Sequence, residues 1–215
     1  MLSHTQIIIF ITAIVSIAAF SSKTIKEQLL FKPVLIQKRN EWYRFFTSGL
    51  IHADWEHLLF NMLTLYLFGE GLEAQFNSDN LFGENGAILY PTLYISAFPF
   101  SMITSYWKHK QNTRYASLGA SGAVSAILFA AILLNPTIKI GFFILPPVIP
   151  GFIFGPAYLL LSSLLSKRGK DNINHAAHIA GAIYGVIFTI TASYYFKSQP
   201  TIWDNFILQV AAYLR

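Results

Sequence analysis

The polar residues of this chain that could do chemistry sit inside apolar surroundings. Ser121 lies in the run Gly119-Ala120-Ser121-Gly122, and His178 follows Ala177 and precedes Gly181 and Gly185. His52, His57 and Asn61 share the run HADWEHLLFN. A serine hydroxyl is a weak nucleophile until a base removes its proton, and neutral imidazole, with an ordinary pKa of about 6.5, is the usual base. Acyl transfer by such a pair also needs N–H donors aimed at the oxyanion of the tetrahedral intermediate. His57 and Asn61 are four residues apart, about 40° around a helix, and so share one face. They offer an imidazole N–H and a carboxamide N–H2. The backbone N–H of Ser121, near a helix start, is a third donor. Attack of a serine on a carbonyl is the chemistry this set could perform.

Each motif also has a plainer reading. Serine in an apolar helix commonly bonds back to a carbonyl or lets helices pack. His57 and Asn61 could merely staple one helix to its neighbours. His52, His57, His175 and His178 fall at one membrane face and could ligate a metal or haem, although the HExxH signature of zinc proteases is absent. His178 shifts the balance toward catalysis, because it stands at matching depth to Ser121 in another apolar stretch. For the pair to meet, two helices must approach closely. Gly122 with Ala126, and Gly181 with Gly185, are small residues four apart that permit it. His4 and His109 lie outside this pattern and are expected to be solvated.

The elements that carry these residues are membrane helices. Of 215 residues, 54% are hydrophobic and only 12% charged, against roughly 25% charged in a soluble domain. Such a chain cannot cover a globular surface, and it lacks the charge or periods of disordered, collagenous or coiled-coil sequences. The absence of cysteine removes disulfides, thiolate nucleophiles and cysteine-based metal sites. A span needs about 20 apolar residues. Six stretches meet or approach that, at about Thr5 to Phe20, Trp55 to Leu72, Ala87 to Trp107, Leu118 to Leu134, Gly141 to Leu165 and Ile173 to Phe196. No Lys or Arg precedes the first, which argues against a cleaved signal peptide. The fifth carries Pro146, Pro147, Pro150, Gly151, Gly155 and Pro156, which predicts a bent or locally unwound helix. A polar, aromatic-rich loop spans about 21–54, and a short amphipathic tail, about 201–215, is expected to lie along the interface. The whole chain, 1–215, reads as one domain without repeats.

Parity places the starts of the second, fourth and sixth spans at one face, and the three polar motifs open those three spans. The net charge of +5 comes from basic residues in the loops, which suits juxtamembrane anchoring better than nucleic acid. All but Lys139, Lys197 and Arg215 of the 15 basic residues fall on the side of Ser121. The positive-inside rule would make that side cytoplasmic.

Taken together, these residues resemble the rhomboid family of intramembrane serine proteases. The likeness runs from Glu41 to Gly185 and rests on HxxxxHxxxN (His52, His57, Asn61), Gly69 and Glu73, GxSG (Gly119 to Gly122) and AHxxGxxxG (Ala177 to Gly185). It implies an all-α, six-transmembrane-helix bundle in which Ser121 is the nucleophile and His178 the general base. It implies that Asn61 and His57 stabilise the oxyanion and that His52 is structural. Arg44, with Tyr43 before it, is similar to the aromatic–Arg pair of the family's first loop; here Trp42 falls one place earlier than expected. Many members carry Tyr four residues after the nucleophile, stacked on the imidazole, whereas this chain has Ser125. No carboxylate lies within the spans near His178, and Asp171 falls in the preceding loop, so the reading is a dyad without an orienting acid.

The resemblance implies no cofactor or metal, membrane-protein substrates with helix-weak transmembrane segments, and a bacterial inner membrane. Bacterial members generally open their site to the extracytoplasmic side, the reverse of what the basic residues imply. The fifth span, with its prolines, would be the movable side door. Two readings from other classes stay open: a non-catalytic rhomboid-like binder of membrane proteins, and a small transporter or haem carrier.

Overall fold

Helix α1 (His4–Ser21) starts where the Ser3 hydroxyl accepts from the Gln6 N–H, and it ends in Ser22, whose side chain in turn caps α2 (Lys23–Leu29). The computed structural model describes residues 2–142, 145–168, 174–196 and 201–215. Further along come α3 (Pro33–Arg39), opened by a proline in its first turn, and α4 (Arg44–Thr47). Next are α5 (Trp55–Phe76), capped by Asp54, α6 (Gly86–His109) and α7 (Ser121–Leu134). Strands β1 (Lys139–Phe142) and β2 (Leu145–Pro150) pair antiparallel and lead into α8 (Gly151–Arg168). Then follow α9 (His175–Tyr195), capped by Asn174, and α10 (Ile202–Tyr213), capped by Thr201.

Helix α7 is the post around which the others stand. Every residue from Gly122 to Leu134 is buried, so the helix is apolar on all sides and walled in by α5, α6, α8 and α9. Its 14 residues span about 21 Å at 1.5 Å each, against roughly 30 Å of hydrocarbon. By length and composition, His4–Ser21, Gly83–His109 and His175–Tyr195 can cross a membrane, while Ser121–Leu134 and Gly151–Ser166 are apolar but shorter. Helix α5 has 22 residues and carries Glu56, Glu70 and Glu73.

Glu73 explains how α1 is held. Its carboxylate is buried and accepts from the His4 N–H (2.8 Å), the Thr5 N–H (2.9 Å) and the Thr5 hydroxyl (2.8 Å). The first N–H groups of a helix have no partner within it, and an acidic group on another helix supplies one here. His4 also meets Glu73 through its ring at 2.8 Å, and His109 stacks on Tyr115 with centroids 3.7 Å apart. Neither is the simply solvated histidine expected from the sequence, since both are tied by partners distant in, or outside, their own helix.

Two further expectations change. The first loop is ordered into α2, α3 and α4. The buried Arg44 guanidinium donates to the carbonyls of Leu30 (2.7 Å) and Glu27 (3.1 Å), and its Nε to Glu41 (2.5 Å). Trp42 stacks on Phe45 and both rings meet Tyr106 of α6. Phe31 and Ser117 exchange both backbone hydrogen bonds at 3.0 Å, which joins this layer to the segment entering α7. The fifth span begins at Gly151, not Gly141. Pro146, Pro147 and Pro150 lie in β2 instead of bending a helix, because proline fixes φ and disfavours helix in the residue before it. Of the expected breakers, Gly151 opens α8, and Gly155 and Pro156 lie inside it. The expected sixth-span start at Ile173, the loop position of Asp171, and Lys170 and Lys197 fall outside the described residues. The tail forms α10, with Trp203, Ile207 and Leu208 exposed, and Gln209 donates to the Leu134 carbonyl at the end of α7 (3.1 Å).

Candidate active site

Helices α7 and α9 touch backbone to backbone. A Cβ on Gly181 would collide with the Gly122 carbonyl, and one on Gly185 with the Ala126 carbonyl. On its other side, a Cβ on Gly122 would strike the Ser101 hydroxyl of α6. His178 precedes Gly181 by one turn and Ser121 precedes Gly122, so the glycine contact sets the distance between their side chains. His178 Nε2 lies 2.7 Å from Ser121 Oγ. A proton on Nδ1 leaves Nε2 free to accept from the hydroxyl, as a general base must. Both residues are half-buried.

Asn174 fixes the first turn of α9. Its Oδ1 accepts from the Ala177 N–H (3.2 Å), while its Nδ2 donates to Ser105 of α6 (3.0 Å) and to the Tyr115 hydroxyl (3.3 Å). The His175 ring meets that of His178 edge-on, with centroids 6.0 Å apart.

The turn before Ser121 is shaped from the α5 side. Gly119 has φ +112, a left-handed conformation that disfavours any Cβ, and a Cβ there would also lie 2.7 Å from His57 Cε1. Its N–H donates to the Ser48 carbonyl at 2.9 Å. His52 is fully buried and its Nε2 accepts from the Ala120 N–H at 3.4 Å. The proton therefore sits on Nδ1, which donates to Ser16 Oγ (2.9 Å), and Ser16 donates onward to the Leu50 carbonyl (2.9 Å). Burial pushes the His52 imidazole down to about 3, with the His57 ring adding to the effect, so it stays neutral. The His52 and His57 rings meet edge-on at 4.9 Å. Asn61 is buried and donates to the His57 carbonyl of its own helix at 2.8 Å, which occupies one of its two N–H groups. This side-chain bond is thus to its own helix, one turn back at His57.

Ser121 and His178 come together, His57 lies against Gly119, and His52 holds Ala120. The four site histidines meet as two separate edge-on pairs, and among the described residues no group of three His, Cys, Asp or Glu could hold a metal ion. Sequence reasoning missed Tyr158 of α8. Its ring lies 6.5 Å from that of His178 with planes 22° apart, and its hydroxyl is 3.4 Å from Ser125. The signal was slight: a tyrosine in an apolar stretch, whose hydroxyl must find a partner when buried. Asn174 was visible as a polar residue at a span opening, but its cap role needed the α6 partners.

The rhomboid domain profile matches residues 39–195 of this chain. The Arabidopsis thaliana protein named RHOMBOID-like protein 12, mitochondrial, is 31% identical over 158 residues, which cover 70% of this chain and 46% of that one. Rhomboid protease AarA of Providencia stuartii is 27% identical over 164 residues, covering 70% and 56% respectively. Rhomboid protease GlpG of Haemophilus influenzae is 29% identical over 160 residues, 74% of each chain. The chain spans about half the length of the first two relatives.

Proposed function

The chain belongs to the rhomboid family, and we propose that it is a serine endopeptidase that cuts membrane-embedded proteins with a Ser121–His178 dyad. Family membership makes it an integral, multi-pass membrane protein of helical fold. The 2.7 Å approach of His178 Nε2 to Ser121 Oγ carries the proposal.

In the first half-reaction His178 Nε2 takes the hydroxyl proton as Ser121 Oγ bonds to the substrate carbonyl carbon. The displaced electron pair goes to the carbonyl oxygen, which the Ser121 N–H, His57 and Asn61 stabilise. As the C–N bond breaks, the imidazolium gives its proton to the leaving amine and an acyl-serine ester remains. Water then loses a proton to His178 and attacks that ester. The C–Oγ bond breaks and the proton returns to Ser121. Substrate carbonyls within a membrane helix are tied up in their own hydrogen bonds. Segments with glycine or proline, which unwind at lower cost, are therefore the best substrates. The bacterial inner membrane is the proposed location, on the likeness to the AarA and GlpG proteases. Reporter fusions after Lys167 and after Arg215 test which end faces the cytoplasm.

Labelling by a serine-directed fluorophosphonate tests the dyad. The wild type is expected to react, and Ser121→Ala and His178→Ala to lose the label while keeping their thermal midpoint. Undiminished labelling of Ser121→Ala would end this reading. Asn61→Ala is expected to slow cleavage roughly ten- to a thousandfold, and cleavage at the wild-type rate would remove Asn61 from the oxyanion site.

A further inference from the structure

We propose that Tyr158 of α8 is the positioning residue for the general base: its ring backs the His178 imidazole, so that the seat of α8 decides whether the dyad is assembled. The proposal rests on the dyad reading above.

The two rings are nearly parallel, 22° apart, with centroids at 6.5 Å, inside the range of about 4.5–7 Å in which offset aromatic pairs attract. Phe154, one turn earlier on α8, continues the column at 5.8 Å and 25° from Tyr158. Phe129 of α7 abuts Tyr158 at 5.7 Å. The tyrosine hydroxyl lies 3.4 Å from Ser125 Oγ. Ser125 lies one turn after Ser121 on α7. Tyr158 thus reaches from α8 onto the nucleophile's own helix, with its ring plane nearly parallel to that of the base on α9.

The base needs such a wall. Among the described residues no carboxylate bonds to His178, whose hydrogen bond to Ser121 anchors the ring at one nitrogen. Rotation about the terminal torsion of histidine is broad, and one bond at the tip does not fix the plane. A flat neighbour does.

The test compares five proteins as purified chains in detergent: wild type, Tyr158→Phe, Tyr158→Leu, Tyr158→Leu combined with Ser125→Tyr, and Ser121→Ala. The maximal rate and half-saturating concentration of fluorophosphonate reaction at Ser121 are measured separately, with the thermal midpoint. Tyr158→Leu, which keeps bulk but loses the flat face, is expected to lower the maximal rate roughly ten- to a hundredfold with half-saturation unchanged. Tyr158→Phe keeps most of the rate. Ser125→Tyr restores most of what Tyr158→Leu loses, because a side chain at 125 leans back along α7 toward its N-terminus and the dyad. Full rate in Tyr158→Leu overturns the proposal. So does a loss in Tyr158→Phe equal to that in Tyr158→Leu, or a loss that only follows the thermal midpoint. Reaction of Ser121→Ala at the wild-type rate would instead sink the dyad reading itself, so the two failures are told apart.

Discussion

Helices α9 and α8 both lean on α7, but with different surfaces. Against α9 the contact is peptide to peptide: Gly181 faces the Gly122 carbonyl and Gly185 the Ala126 carbonyl, with no side chain between them. Against α8 it is ring to ring, through Phe129, Phe154 and Tyr158, with Ser125 and the Tyr158 hydroxyl at 3.4 Å. Side chains can change rotamer and let a helix shift, whereas carbonyls packed on glycines leave no such freedom. The distance between Ser121 and His178 is set at the unyielding seam. What flanks the pair comes from the yielding one. At its base α8 follows the β1–β2 hairpin, and Tyr213 of α10 meets Phe152 at 5.7 Å, so the helix is held at its foot.

The sharpest way to break this contrast is Gly181→Val. Its Cβ falls on backbone, so α7 and α9 must part. Overpacking should cost about 1–3 kcal/mol and, on the proposed dyad, misplacing His178 should lower fluorophosphonate labelling more than about a hundredfold. Labelling rate together with the thermal midpoint reads both effects. Asn174→Ala is a milder blow to the same seam, removing the cap of α9 and its bonds to Ser105 and Tyr115. About 1 kcal/mol is expected, seen as a fall of the midpoint, with labelling slowed less than in Gly181→Val. Gly155→Ala on α8 is the smallest. A Cβ there would sit 3.5 Å from Phe129, an ordinary contact, and alanine is the better helix former by about 1 kcal/mol. Labelling should stay within about twofold of wild type with an equal or higher midpoint. Damage from Gly155→Ala as deep as that from Gly181→Val would show that both seams are equally tight.

Sequence pattern carried the helical membrane fold and the closeness of Ser121 to His178, because polar groups in apolar stretches are few and small residues four apart mark close helices. It did not carry β2. Prolines in an apolar stretch indicate that a regular helix fails, but not whether the chain kinks or turns extended, and here the edge of a hairpin won. Nor did it carry Tyr158, since the stretch from Gly151 to Arg168 is apolar around most of its circumference and gives no face preference. The bond of His4 to Glu73 joins residues 69 apart in the chain, a separation over which local periodicity is silent. His52 could be named as structural from the resemblance, but its tautomer was fixed only by the Ala120 N–H.

Helix α7 is among the most lipophilic stretches in the chain and yet, walled in by its neighbours, it is shielded from the oily phase around the bundle. Its depth is therefore dictated by the surrounding helices and not by acyl-chain length. Thicker or thinner bilayers would tilt or strain the outer helices first, leaving the height of Ser121 within the protein unaltered.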